Sequence, residues 1–97
     1  MDMTEAKALL ASELQKYRTL SYTELRERIG SEDDYVAAAP SGREYGIEID
    51  FFWDDWLKRD IRVMGMIDDG STRYTRRPLV DSFILAPDGH FVGEDAA

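Results

Sequence analysis

The chain has 97 residues, with 12 Lys and Arg against 20 Asp and Glu, so its formal net charge is −8. Hydrophobic residues make up 43% of the sequence, which is apolar enough for a folded protein and unlike an acidic disordered tail. This length predicts a single domain, residues 1–97, and excludes a two-domain enzyme. The longest apolar runs are too short to cross a bilayer, and a charge of −8 opposes binding to nucleic acid.

Cysteine is absent and His90 is the only histidine. These counts exclude disulfides, cysteine-ligated zinc, iron–sulfur clusters and a zinc site built from several histidines. The first residues also lack the basic start and the continuous apolar segment of a secretory signal. We therefore predict a cytoplasmic protein with no cofactor, no membrane contact and no nucleic-acid partner.

Two helices are predicted at the start of the chain. Asp2 and Glu5 have the spacing of a capping box, and the apolar residues that follow recur every three or four positions. These apolar residues are Met3, Ala6, Leu10, Leu14 and Tyr17. They predict a first helix over about 3–18. Ser21 and Glu24 form a second capping box, and Gly30 suits the left-handed position after a helix, which predicts a second helix over about 22–29.

After Gly30 the hydrophobic pattern changes to a period of two, which is typical of strands. Strands are predicted over about 34–39, 44–54, 61–68, 72–75, 82–86 and 90–92. The alternation is clearest over 44–54, where apolar residues alternate with mostly acidic ones. Two helices followed by consecutive strands with short turns predict an α+β fold. In this fold the two N-terminal helices pack on one face of a four- to five-stranded antiparallel meander sheet.

A register for the longest hairpin follows if Leu57 lies at the centre of its tip. The predicted pairs on one face are Trp53 with Ile61, Phe51 with Val63 and Ile49 with Gly65. The predicted pairs on the other face are Phe52 with Arg62, Asp50 with Met64 and Glu48 with Met66. Since Gly65 has no side chain, it would leave room beside Ile49 for a ring or a helix backbone.

Acidic residues at the predicted strand ends are the first candidates for a chemical site. Two groups stand out, namely Asp54, Asp55 and Asp60, and Asp68, Asp69 and Asp88. Calcium and magnesium prefer several oxygen ligands from a loop, but no segment matches an EF-hand. Aspartate is also common in turns because it accepts hydrogen bonds from nearby backbone groups. We therefore assign no metal ligand to these residues.

Paired carboxylates are the second candidates. Glu48, Asp50 and Asp54 share one face of the predicted strand, and Phe52 lies among them. Acid–base catalysis by such a pair needs one carboxyl whose pKa is raised by an apolar pocket. A solvated acidic strand face opposite a basic residue is the simpler interpretation. A metal-assisted or carboxylate-dependent hydrolase that uses Asp54, Asp55 and His90 remains the alternative function, and no catalytic residue is assigned.

The only basic cluster comprises Arg73, Arg76 and Arg77, close to Tyr74. Such a cluster can bind phosphates and stack on bases, but a net charge of −8 repels a polyanion. We therefore expect these arginines to pair with the acidic face of the strand over 44–54.

Exposed apolar residues give the strongest functional indication. The predicted register turns Phe52, Met64 and Met66 away from the helices, and an exposed apolar patch on a small domain often marks a partner surface. The candidate interaction surface comprises Glu48, Asp50, Phe52, Asp54, Trp56, Leu57, Arg62, Met64 and Met66. The predicted function is that of a small acidic module that binds a protein partner or forms a homodimer. A basic partner would associate faster because of the opposite charge.

Five segments carry a resemblance to a known group of proteins. They are L-S-Y-T-E-L at 20–25, S-G at 41–42, I-E-I-D-F-F-W-D-D at 47–55, I-R-V-M-G-M-I-D-D-G at 61–70 and A-P-D-G-H-F-V-G-E at 86–94. In this order they resemble a group of small uncharacterised bacterial proteins, and the resemblance covers nearly the whole chain. It implies a compact single domain of the α+β class. No enzyme activity is assigned to that group, so the resemblance gives no residue a catalytic role.

Overall fold

The computed structural model describes residues 1–70 and 79–94. Its elements are α1 (Met3–Arg18), α2 (Tyr22–Arg26), β1 (Glu32–Ala38), β2 (Glu44–Trp53), β3 (Ile61–Asp68) and β4 (Leu79–Leu85). The strands form one antiparallel sheet in the order β1-β2-β3-β4, and α1 packs on one face of it, mainly against β3 and β4. The predicted α+β meander is therefore confirmed, with four strands in the described part. No helix in that part is long and apolar enough to cross a membrane.

The strand boundaries differ from the predicted ones mainly at the sheet edges. β1 and β4 begin two and three residues earlier than predicted. The predicted strand over 90–92 is reduced to a single bridge between Leu85 and Phe91. The predicted strand over 72–75 lies outside the described residues. The central strands β2 and β3 agree with prediction to within one residue, because their alternation is the most regular in the chain.

Helix α2 begins where its capping box predicts and ends earlier than expected. The Glu24 amide donates to Ser21 Oγ over 3.1 Å, and the Ser21 amide donates to Glu24 Oε1 over 2.9 Å. The helix ends at Arg26, not near residue 29. Gly30 follows with φ +88° and donates its N–H to the Phe51 carbonyl oxygen over 3.1 Å. Between Arg26 and Gly30, the amides of Arg28 and Ile29 donate to carbonyl oxygens three residues earlier, so tight turns replace the expected last turn of the helix.

At the start of α1 only half of the predicted capping box forms. The Glu5 amide donates to Asp2 Oδ1 over 3.0 Å. The Glu5 side chain turns away from the helix and accepts from the hydroxyls of Ser41 and Tyr45 instead. It therefore joins α1 to the β1–β2 turn. Met3, expected in the apolar stripe, is 51% exposed.

The register of β2 against β3 agrees residue for residue with the predicted hairpin. Gly65 pairs with Ile49 on the face beneath α1. A Cβ atom on Gly65 would lie 2.8 Å from Leu10 Cδ1 and 3.2 Å from Leu14 Cδ2. The predicted space beside Ile49 is therefore filled by side chains of α1.

The hydrophobic core lies between α1 and this face of the sheet. Its buried members include Ala6, Leu9, Leu10, Leu14, Tyr17, Leu25, Tyr45, Ile47, Ile49, Phe51, Ile61, Val63, Ile67, Phe83 and Leu85. Trp53, predicted to face inward, is only partly buried at the end of β2. Burial of these side chains against α1 is the main favourable contribution to the stability of the fold.

Beneath α1, the edge strand β1 is held by pairs of tyrosine hydroxyls and carboxylates. Glu13 is 6% exposed and accepts from the Tyr35 hydroxyl over 2.9 Å and from Lys16 Nζ over 3.0 Å. The Tyr17 hydroxyl donates to Asp33 Oδ2 over 2.7 Å. Burial and this hydrogen bond raise the pKa of Tyr17 to about 12, and burial beside Glu13 raises the pKa of Tyr35 as well. Each carboxylate on this face has a donor.

Candidate functional site

The candidate site is the sheet face that points away from α1, which we call the open face. Successive side chains of a strand point to opposite faces of the sheet. Every second side chain of β2 and β3 therefore lies on the open face, and the side chains between them are buried beneath α1. The open face consists of Glu32, Asp34, Val36, Ala38, Glu44, Gly46, Glu48, Asp50, Phe52, Arg62, Met64, Met66, Asp68, Val80, Ser82 and Ile84.

Six of the nine residues in the predicted interaction surface lie together on the open face. They are Glu48, Asp50, Phe52, Arg62, Met64 and Met66. The other three lie in the β2–β3 hairpin loop. Asp54 forms an ion pair with Arg62, whereas Trp56 is 88% exposed and Leu57 is 49% exposed at the tip. The strand residues therefore form a continuous surface, and the two apolar tip residues extend it at one end of the hairpin.

The contribution of β1 to the open face was not predicted. Glu32 pairs with Asp50, Asp34 with Glu48, and Val36 with Gly46. In the structure residues 32–38 alternate between more and less exposed positions, but in the sequence only Tyr35 to Ala38 are apolar. Three consecutive acids concealed the alternation, and the predicted strand began too late to include Glu32.

The open face is divided into an acidic half and an apolar half. The acidic half lies on β1 and β2 and contains Glu32, Asp34, Glu44, Glu48 and Asp50. The apolar half consists of Phe52 at the end of β2 with Met64, Met66, Val80 and Ile84 on β3 and β4. Such a surface combines charge with area for hydrophobic contact.

Arg62 is the one cation on this face among the strand residues that the structure describes. Its Nε donates to Asp54 Oδ1 over 2.8 Å, and its Nη1 donates to Ser82 Oγ over 2.7 Å. Arg62 also lies beside Phe52, two rows along the sheet from Glu48. It therefore balances Asp54 rather than the carboxylates of β1 and β2.

Glu48 is the most perturbed carboxylate of the open face. Oxygen atoms of Glu32, Glu48 and Asp50 all lie within 4.8 Å of one another. Partial burial, followed by the negative charges of Asp50 and Glu32, raises the pKa of Glu48 to about 6. A positive charge bound at this point would relieve the repulsion among these carboxylates. The arrangement is thus suited to a cation, either a protein side chain or a hard metal ion.

A groove of about 430 Å³ crosses the open face where β2 lacks a side chain. Its floor is Gly46, which lies between Val36 of β1 and Asp68 of β3 in the sheet. The lining residues are Asp34, Tyr35, Val36, Gly46, Ile47, Glu48, Met66 and Asp68. The groove therefore has both apolar walls and carboxylates.

The residues of the predicted hydrolase site have separate local partners. Asp54 pairs with Arg62, and Asp55 accepts two backbone N–H groups of the hairpin loop, which lower the pKa of its carboxyl. His90 Nδ1 contacts the carboxylate of Asp88 within the turn after β4. None of Asp54, Asp55 and His90 lines any of the four most prominent grooves on the described part of the chain. The structure therefore gives these residues turn and ion-pair roles.

The remaining candidates lie at the end of β3 and beyond. Asp68 Oδ1 accepts from the Gly70 amide over 2.8 Å, as expected of aspartate in a turn. Asp69 contacts the N-terminal amino group over 3.4 Å. The basic cluster of Arg73, Arg76 and Arg77 lies outside the described residues, so its pairing with the acidic strand face stays a prediction.

Comparison of the chain with family models, with curated proteins and with solved structures found no match. The resemblance to small bacterial proteins therefore stays a prediction from sequence, and the functional argument rests on the open face.

Proposed function

We propose that the protein is a small protein-binding module whose open face docks against the basic surface of another protein. One observation carries this proposal. The acidic half brings five carboxylates onto two neighbouring strands, while the nearby cation Arg62 is already bound to Asp54. Among the residues that the structure describes, this half therefore has an excess of negative charge that a basic partner would balance.

The apolar half supplies the contact area that such docking needs. Val80 is 53% exposed and Phe52 is 37% exposed, and Met64 and Met66 lie between them on β3. Aromatic and methionine side chains are enriched at protein interfaces, and methionine adapts its shape to the partner. In this arrangement opposite charge speeds association and sets orientation, whereas apolar contact slows dissociation.

A basic partner fits the open face better than a second copy of the chain does. Self-association through the acidic half would bring like charges together around Glu48, whose pKa is already raised by neighbouring acids. Like charges at an interface cost several kcal/mol, on the order of the gain from a few buried apolar side chains. The predicted homodimer is therefore less well supported for this surface than a heterologous complex.

An NMR titration of the labelled protein with octa-lysine tests the proposal. We expect saturable shift changes on the open face that weaken as salt is added, because exposed charges are screened. Glu32→Gln and Glu44→Gln should each weaken binding by a factor of about 2–5, since each removes one unit of attraction of about 0.4–1 kcal/mol.

Glu27→Gln is the matched control, because Glu27 is an exposed acid at the end of α2 and does not belong to the open face. It should leave the affinity for octa-lysine within a factor of about 1.5 of the unmodified protein, which is below about 0.3 kcal/mol. Equal losses in all three variants, or shifts spread over α1 and α2, would show only diffuse attraction to an acidic protein and would contradict the proposal.

The carboxylate-dependent hydrolase remains the alternative because of Glu48. The pKa of Glu48 is raised to about 6 beside Asp50, and a catalytic acid at neutral pH needs a carboxyl with a raised pKa. The geometry supports it less well, because the carboxylates lie on an open sheet and Asp54 is bound to Arg62. Hydrolysis of nitrophenyl glycosides from pH 4 to 8 tests it. Turnover that Glu48→Gln abolishes would favour the hydrolase, and equal background rates would exclude this activity.

A cytoplasmic location is also proposed, from the absence of cysteine. Fractionation of cells that produce the tagged protein tests the location directly.

A further inference from the structure

Nothing in the described part of the chain requires glycine at position 46. Five of the seven glycines adopt positive φ, and Gly65 has no room for a Cβ atom beneath α1. Gly46 lies inside β2 without positive φ, and a Cβ atom there would come no closer than 3.7 Å to its nearest neighbour, Asp68 Oδ2. Glycine weakens a strand, and a strand glycine often marks a point where another molecule approaches closely.

The space above Gly46 is the floor of the groove on the open face. Val36 stands opposite Gly46 on β1, and Met66 lies one row along the sheet on β3, so apolar surface borders the floor on two sides. Asp34 and Glu48 share the row of Met66, and Asp68 lies beside Gly46 on β3, so each row of the groove combines one apolar side chain with carboxylates. An occupant that suits this lining has both apolar length and positive charge.

We propose that the groove receives a lysine or arginine side chain of the partner, its aliphatic stem between Val36 and Met66 and its cationic head at the carboxylates. Both side chains bury their methylene stems against apolar surface while the charged end remains at the rim. This inference rests on the proposed function and names the chemical group that the open face recognises.

The electrostatics of the groove agree with a cationic occupant. Glu48 is crowded by Asp50, Glu32 and Asp34, which raise its pKa together with partial burial. An ammonium or guanidinium group favours the charged form of Glu48 and reduces this repulsion. A bare metal ion would satisfy the carboxylates but would leave Val36 and Met66 without a partner.

Short peptides test separately the two features that the occupant needs, an aliphatic stem and a positive charge. The probes are capped tripeptides with Gly on both sides of Lys, Arg, norleucine or 2,3-diaminopropionate. Norleucine has a stem without charge, and diaminopropionate has charge on a shorter stem. We expect saturable shifts at Val36, Gly46 and Met66 with Lys and Arg, and at least tenfold weaker binding of the other two. Equal binding of the Lys and diaminopropionate peptides would overturn the proposal, because charge alone would then suffice.

Gly46→Val fills the groove with a side chain that strands accept, and Ala38→Val places the same side chain on the same face outside the groove. We expect the first variant to lose at least tenfold in affinity for the Lys peptide and the second to bind like the unmodified protein. Asp34→Asn and Glu32→Gln form a second pair on β1, within and outside the groove, and do not depend on whether Gly46→Val folds. The Asp34 variant should lose more affinity, and equal losses would overturn the proposal.

Titration with octa-lysine and dilution of the protein distinguish failure of the groove proposal from failure of the proposed function. If Gly46→Val leaves the affinity for the Lys peptide unchanged while octa-lysine still binds the open face, the groove proposal is overturned and the proposed function stands. If neither probe binds the open face, both are overturned. If shifts at Val36 and Gly46 change on dilution of the protein alone, the occupant is a second copy, which also overturns the proposal.

Discussion

The two faces of the sheet differ in what surrounds them, and the surroundings of one glycine on each face show the difference. Gly65 and Gly46 lie on neighbouring strands, β3 and β2. On the face beneath α1, which we call the helix face, Leu10 and Leu14 of α1 occupy the space that Gly65 leaves. On the open face, the space above Gly46 remains a groove. The first glycine serves packing within the chain, and the second leaves room for a group from outside.

The carboxylates of the two faces also differ, because those on the helix face have hydrogen-bond donors within the chain and those around Glu48 lie close to one another. On the helix face, Glu13 accepts from Tyr35 and Lys16, and Asp33 accepts from Tyr17. On the open face the carboxylates around Glu48 crowd one another, and partial burial followed by these negative charges raises the pKa of Glu48 to about 6. Within the described residues, folding therefore gives the acids beneath α1 hydrogen-bond donors, whereas it brings the carboxylates of Glu32, Glu48 and Asp50 close to one another.

The largest predicted contrast is between two adjacent phenylalanines. Phe51 is 2% exposed on the helix face, and Phe52 is 37% exposed on the open face. Phe51→Ala should lower the free energy of unfolding by about 3–5 kcal/mol, because it removes a ring from a packed core. Phe52→Ala should cost less than about 1.5 kcal/mol, the loss of a partly buried ring. Urea unfolding measures both, and equal losses would mean that the open face is buried.

The two glycines allow a second test of the same contrast with one substitution. Gly65→Val should lower the free energy of unfolding by about 2–3 kcal/mol, because even its Cβ atom would lie 2.8 Å from Leu10 Cδ1 and α1 would have to shift. Gly46→Val should change it by less than about 1 kcal/mol, since strand propensity improves and the groove has room. Thermal and urea unfolding give both values. A Gly65→Val protein as stable as the parent would remove the argument that α1 closes this face.

The sequence predicted both central strands and their pairing because a strand repeats its side-chain direction every two residues. Alternation excludes any register in which Ile49 and Phe51 lie on the face opposite Ile61 and Val63, and the hairpin tip at Leu57 then selects the observed pairs. The faces, the position of Gly65 and most of the candidate surface follow from that register. These features depend on local pattern, which a single sequence contains.

Features that depend on distant contacts were not predicted. Asp33 faces α1 because Tyr17 and Arg28 supply its partners, and nothing in the run Glu32-Asp33-Asp34 distinguishes the middle acid from its neighbours. The bond from Gly30 to Phe51, which joins the segment after α2 to β2, was likewise not predicted. The groove at Gly46 needed the pairing of β1 with β2, which placed Val36 opposite the glycine.

A smaller effect tests whether the tyrosine pairs hold β1 beneath α1. Tyr35→Phe leaves Glu13 with one donor, Lys16, at a carboxylate that is largely buried. We expect a loss of about 1–2 kcal/mol in the free energy of unfolding, since a buried acceptor loses a hydrogen bond. Tyr22→Phe is the control, because the Tyr22 hydroxyl bonds the Arg59 carbonyl in an exposed setting, and its cost should be about 0.5 kcal/mol. Similar losses in both variants would contradict the special role of the Glu13 pair.

The smallest effect concerns the pH dependence of stability that Glu48 causes. Glu48 faces Glu32 and Asp34 from β1, Asp50 from its own strand and Asp68 across the groove, and its pKa is raised from 4.5 to about 6. A raised carboxyl pKa means that the folded protein holds the proton more tightly than the unfolded chain does. Its contribution to stability therefore falls as the pH rises from about 4.5 to about 6, and the unfavourable effect is fully present above that range.

Glu48→Gln should remove this contribution and make the protein slightly more stable than its parent at pH 7, whereas the two should converge at pH 4.5. Glu44→Gln, on the same strand and face, is the matched variant, and an equal change in that variant would show a general effect of removing one negative charge. Urea midpoints measured across this range decide the matter. If the Glu48→Gln and parent curves stay parallel, the carboxylates of the open face do not repel one another strongly, and the contrast with the satisfied acids beneath α1 loses its electrostatic basis.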